Sequence, residues 1–142
     1  MSNVSFEGLA EFMDDLKNVL DLPEEVQLEM LNAEADVVVD AQKREIESLG
    51  LEDTGQLKKS IARTAKLQRS KTGIGKYIDV YPQGTREDGM RNAEVGFIHE
   101  FGAPKRHIRA SGWMEKANEK CATEAVGAAE EVYDNFLKKN NL

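Results

Sequence analysis

From Pro23 onward, apolar residues recur mostly at intervals of three and four: Val26, Leu28, Leu31, Ala35, Val38, Val39, Ala41 and Ile46. A repeat of this period places them on one side of an α-helix and on no single side of a strand. Pro23 followed by Glu24 and Glu25 suits the start of that helix, because proline is tolerated in the first turn and carboxylates favour its positive end. Ser48-Leu49-Gly50 suits its finish, with glycine able to take the left-handed conformation that stops a helix. A second such pattern occupies the C-terminal part, where Trp113, Met114, Ala117, Cys121, Ala125, Ala128, Ala129, Val132, Phe136 and Leu137 fall largely on one side. That face is mostly small, so the helix can approach a neighbour closely. Two long helices, over 23–49 and 111–139, are therefore expected, and whatever lies between them must pack against their faces.

The intervening sequence reads as strands and turns. Thr54 is placed to cap a short helical turn whose Leu57 and Ile61 point the same way. A strand is expected from Ile61 to Leu67, then a loop over 68–76, then the alternating run Tyr77-Ile78-Asp79-Val80-Tyr81. These make a hairpin with a basic, flexible tip. Residues 82–92, with Pro82, Gly84 and Gly89, read as a second flexible loop, and Ala93 to Phe101 reads as a further strand through Val95, Phe97 and Ile98. The expected fold class is α+β: an antiparallel sheet of three or more strands packed against the long N-terminal-half helix and the long C-terminal helix. Phe6, Leu9, Phe12, Met13, Leu16 and Leu20 predict a separate amphipathic helix within residues 1–22. At 142 residues the chain is expected to form one domain.

Charge is divided unevenly. Residues 1–53 carry fifteen Asp or Glu against three Lys or Arg, whereas residues 54–142 carry eleven against sixteen. The two ends can attract each other, or neighbouring copies can. Lys58, Lys59, Arg63, Lys66, Arg69, Lys71 and Lys76 follow one another with no acidic residue among them, a plausible footprint for phosphates. No stacking aromatic is interleaved before Tyr77, and the overall charge of −7 opposes nonspecific binding to nucleic acid. No apolar run is long enough to span a membrane, and the first residues lack the basic head and apolar stretch of a secretory signal.

Enzymatic constellations are not evident. His99-Glu100 begins like a zinc-binding helix motif, but the position four residues after His99 is Ala103, and His107 is eight residues on. Ser60, Ser70 and Ser111 lack the glycine-flanked turn of a hydrolase nucleophile. Gly73 and Gly75 precede a lysine, Lys76, that no Ser or Thr follows, so no phosphate loop is formed. Cys121 is alone and lies in an alanine-rich stretch, where a small core residue is expected. Neither catalysis nor a metal or cofactor is expected.

Three strings occur in a suggestive order: Thr54-Gly55-x-Leu57-x-x-Ser60-Ile61, then Val95-Gly96-Phe97-Ile98-His99-Glu100-Phe101-Gly102, then Trp113-Met114-x-x-Ala117. Together they resemble the minor tail-component family of tailed bacteriophages, also called neck or head–tail joining proteins. The resemblance covers about residues 26–137 and rests on order and spacing, since each string alone is common. Relatives commonly place Ala-Arg-Pro before the aromatic residue; this chain has Ala110-Ser111-Gly112-Trp113, with Ser111 expected to satisfy open amides of the helix that follows. The resemblance implies a structural component of a phage or prophage virion, assembled in the bacterial host cytoplasm. It would act in head–tail joining or tail completion through a ring of its own copies and contacts with adjacent neck or tail proteins, with DNA passing nearby. Within the second string, Phe101 is expected to close the core at a strand end, Gly102 to permit a turn with positive φ, and Glu100 to face outward toward Lys105, Arg106 and Arg109 of its own or a neighbouring copy. The alternative function is a nucleic-acid-binding module using the basic hairpin 58–76, with Lys66, Arg69 and Lys71 near its tip.

Overall fold

The computed structural model describes residues 21–51, 55–72 and 75–141. The amphipathic helix expected before residue 21 and the Thr54 cap lie outside these residues. Helix α1 spans Glu24–Leu49, α2 spans Gln56–Ser60, α3 spans Asn92–Phe101 and α4 spans Trp113–Lys139. Between α2 and α3 run four short strands: β1 Ile61–Arg63, β2 Gln68–Arg69, β3 Lys76–Tyr77 and β4 Val80–Pro82.

The long helices begin and end where the patterning places them. Carbonyl O of Pro23 accepts from the amides of Val26 and Gln27, opening α1. At its end Gly50 adopts φ +60°, and the Leu51 amide reaches back to the carbonyl of Ile46, the closing bond of a left-handed cap. Helices α1 and α4 pack side by side in opposite directions: Ile46 meets Trp113 in the core, Gln42 donates to Asn118, and Lys120 grips Glu45. The buried face of α4 steps through Trp113, Ala117, Cys121, Ala125 and Ala129, one residue every four. This ridge of small side chains brings α4 against Ala41, Val37 and Val38 of α1. Burial pushes the Cys121 thiol above its ordinary range, consistent with a packed rather than a reactive sulfur.

The expected sheet of three or more strands is not formed. The described residues are 61% helical, and their strands make two separate two-stranded antiparallel ribbons, β1 with β4 and β2 with β3. Ile61 pairs with Pro82, and Gln68 pairs with Tyr77. Between them the Thr64 amide bonds the Asp79 carbonyl at 2.8 Å, so the two ribbons are successive rungs of one irregular hairpin. The third expected strand, Ala93 to Phe101, is helix α3. Its alternation of Val95 and Phe97 imitates a strand, but the residues buried are Asn92, Gly96 and Glu100, a spacing of four. The loop 82–92 is likewise held by its own bonds, with Arg86 and Met90 closing a turn and Thr85 bridged to Arg91.

The main core lies where these elements converge: Ile46, Leu57, Ile61 and Trp113 are all buried, with Val39, Val80, Val95 and Met114 around them. Leu57 of α2 and Ile61, the first residue of β1, are buried in this same cluster. Gln42 is 1% exposed and its Oε1 has no protein partner among the described residues, whereas its Nε2 donates to Asn118.

Two glycines in helices have opposite surroundings. A Cβ on Gly96 would lie 3.0 Å from the Pro82 ring and 3.3 Å from the indole of Trp113, while one on Gly127 meets nothing within 4 Å. Gly127→Ala is expected to stabilise the chain by about 0.5–1 kcal/mol through helix propensity. Gly96→Ala receives the same gain but must displace two rigid rings, so a net loss of about 1 kcal/mol is expected. Denaturant unfolding of the two variants beside the wild type checks the difference in sign.

Candidate functional site

The string Val95 to Gly102 forms most of α3 and its exit, and five of its residues, Gly96, Phe97, Glu100, Phe101 and Gly102, divide the work. Gly96 gives the close approach just described, and its carbonyl accepts the Trp113 Nε1–H at 3.0 Å. Glu100 is buried, and its carboxylate accepts from the amides of Met114 at 2.6 Å and Glu115 at 3.3 Å. These are first-turn donors of α4 that have no partner within their own helix. Glu100 therefore caps α4 from a distance and meets the positive end of its dipole. The outward orientation expected for Glu100 is corrected by this contact: its oxygens face α4, not Lys105, Arg106 or Arg109. Ser111, expected to serve those amides, donates its hydroxyl to the His99 carbonyl.

Phe101 departs from expectation in the other direction. It is 71% exposed and does not close the core, because on a helix it follows Phe97 by one turn, and Phe97 is itself 53% exposed. The two rings stack with centroids 5.9 Å apart. Gly102 behaves as expected, with φ +80°; a Cβ there would also come within 2.8 Å of the Ala110 amide. Beyond it, Ala103 and Ile108 bond each other through both amides, and Pro104–Arg106 form a single 3-10 turn across the tip. Lys105, Arg106 and His107 are exposed on this small loop, with His107 at φ +56°, and Arg109 is exposed just after it. None of Lys105, Arg106 and Arg109 has an ion-pair partner among the described residues. The second string thus produces an exposed aromatic pair on a helix locked to the core from its other face, and three exposed cations follow it within eight residues of Phe101.

The basic hairpin is arranged differently. It lies along α1, and its cations meet the acidic side of that helix: Lys58 with Glu47 at 2.9 Å, Arg63 with Asp36 at 3.0 Å, and both Arg69 and Lys76 with Glu24 at 3.0 and 3.3 Å. Lys66 and Lys71 are exposed toward the tip. Much of the charge available for phosphates is therefore matched within the chain, and the acidic and basic parts of the sequence meet in one molecule.

No group of three or more His, Cys, Asp or Glu among the described residues is arranged to hold a metal, and no described helix is long and apolar enough to cross a membrane. The chain matches no family model, no curated protein and no solved structure. The exposed Phe97 was missed as a surface residue because strand alternation assigns it to the same side as Val95. The signal that could have found it is the interval of four separating Phe97 from Phe101 and Gly96 from Glu100.

Glu100→Ala is expected to cost about 1–2 kcal/mol in thermal or denaturant unfolding, as loss of a helix cap does, while Phe101→Ser costs less than about 1 kcal/mol. The hydrogen bond and charge of Lys76, followed by the charge of Arg69, hold the Glu24 carboxyl below its ordinary range. Its favourable contribution is present above the unfolded-state value and is lost as pH falls through the lower folded value. Acidification to about pH 3 should therefore loosen the hairpin from α1, and Glu24→Gln should do so at neutral pH, read as faster exchange of the Ser70 amide, which is bonded to the Gly75 carbonyl across the hairpin.

Proposed function

We propose that this chain is a structural component of a tailed phage or prophage particle, acting in head–tail joining or tail completion through ring-forming contacts between copies and with neighbouring neck or tail proteins. The observation that carries this reading is the stacked pair of Phe97 and Phe101, held in solvent on a helix fixed from behind by Gly96 and Glu100. Exposed aromatic area followed by a loop of unpaired cations has little to offer an isolated monomer, and it suits a surface that another protein covers. The three strings that resemble the phage family support the same reading, because they supply the residues of one junction: Leu57 and Ile61, Gly96 and Glu100, and Trp113. The function of such a chain is its surface. Its location would be the virion, after assembly in the host cytoplasm, with DNA passing close by and no membrane contact.

Quantitative mass spectrometry of purified particles from the source strain tests this. The expected outcome is a low, fixed copy number relative to the major capsid protein, consistent with a single ring. Absence from intact particles would remove the virion role.

A further inference from the structure

At the far end of the helical pair lies a surface complementary to the aromatic patch. A groove of about 430 Å³ opens between α1 and α4, with Met30, Val126 and Tyr133 as its apolar lining and Glu34, Glu130 and Asp134 as its carboxylates. Val126 is 51% exposed, and none of the three carboxylates has an ion-pair partner among the described residues. The groove falls within the roughly 300–1,000 Å³ of sites that enclose compact ligand groups, room enough for a pair of phenyl rings. One surface thus presents apolar rings with three cations, and the other an apolar groove with three carboxylates.

The two surfaces cannot meet within one chain. Phe101 follows Glu100, which is bonded to Met114 at the start of α4, whereas the groove centres near Glu130. Sixteen residues of helix separate those positions, about 24 Å at 1.5 Å per residue. We propose that the Phe97–Phe101 pair of one copy seats in the Met30–Val126–Tyr133 groove of a second copy, with Lys105, Arg106 and Arg109 facing Glu34, Glu130 and Asp134. Such a contact uses a different surface on each partner, so it repeats head to tail and closes into a ring or continues as a filament. The charge match also lets copies carrying a net charge of −7 approach in the correct orientation. This inference rests on the assembly role proposed above and specifies its interface.

Complementary variants of the full chain test it. Phe101→Glu disables the aromatic surface, and Val126→Lys with Glu130→Lys disables the groove; all three positions are exposed, and circular dichroism verifies the fold. In sedimentation velocity the wild type is expected to form species larger than one chain at up to about 0.5 mM, a range that detects contacts of roughly millimolar Kd. Each variant alone should sediment as one chain, and an equimolar mixture should give a species of two chains and nothing larger, because only one intact surface of each kind remains. A wild type that stays monomeric, or a mixture that remains two monomers, overturns the proposal. So does a groove variant that still assembles as the wild type does, which would mean that aromatic patches pair with each other. A groove variant that assembles normally but melts earlier would assign the groove to residues 1–20 of the same chain, again overturning it. Success here with absence from particles would retain the interface and discard the virion role; failure here with presence in particles would do the reverse.

Discussion

The junction of Trp113 with α3 is the contact on which the remaining geometry depends. The indole is fully buried, its N–H is satisfied by the Gly96 carbonyl, and Gly96 has no side chain to hold the two apart. A buried indole N–H without an acceptor would carry a desolvation cost of about 1–3 kcal/mol, so packing and hydrogen bonding select the same arrangement. Glu100, one helical turn after Gly96, then reaches the open amides of α4. Together these contacts set the start of α4, and with it the run of small residues that lies along α1. They also decide which side of α3 faces solvent, and therefore that Phe97 and Phe101 do.

Charge is organised on two scales. Within the chain, the acidic side of α1 meets the cations of the hairpin, an arrangement that positions the hairpin more than it stabilises it, since solvent screens exposed pairs. The charges left over are separated: cations gather after α3, and carboxylates gather along the distal part of α1 and α4. Both unmatched sets border apolar surface. An ion pair at a surface gains little alone, but beside apolar area that is buried on contact it sets orientation and register.

Much of this was legible in the residues. Helix periodicity, Pro23 and Gly50 bounded α1; the alanine spacing identified α4 and its close packing; the spacing of Leu57 and Ile61 grouped them, and both are buried in one cluster. Gly102 was readable as a turn. The misread segment was Ala93 to Phe101, where Val95, Phe97 and Phe101 satisfy a period of two while Asn92, Gly96 and Glu100 satisfy a period of four. A ten-residue helix offers too few repeats to separate these periods when glycine and a carboxylate occupy its buried face. That one substitution of helix for strand removes the expected third strand, turns Glu100 inward and turns Phe101 outward.

The sequence alone determined what local forces decide: where the long helices run and where glycine must turn the chain. These follow from periodicity and backbone preference, which act over a few residues. Only the tertiary structure decided the partners of Gly96 and Glu100, the pairing of hairpin cations with α1, and the separation of an aromatic, cationic surface from an apolar, acidic groove. Those depend on contacts between residues distant in the chain, where the side that is buried is chosen by the neighbour it packs against and not by the residue itself.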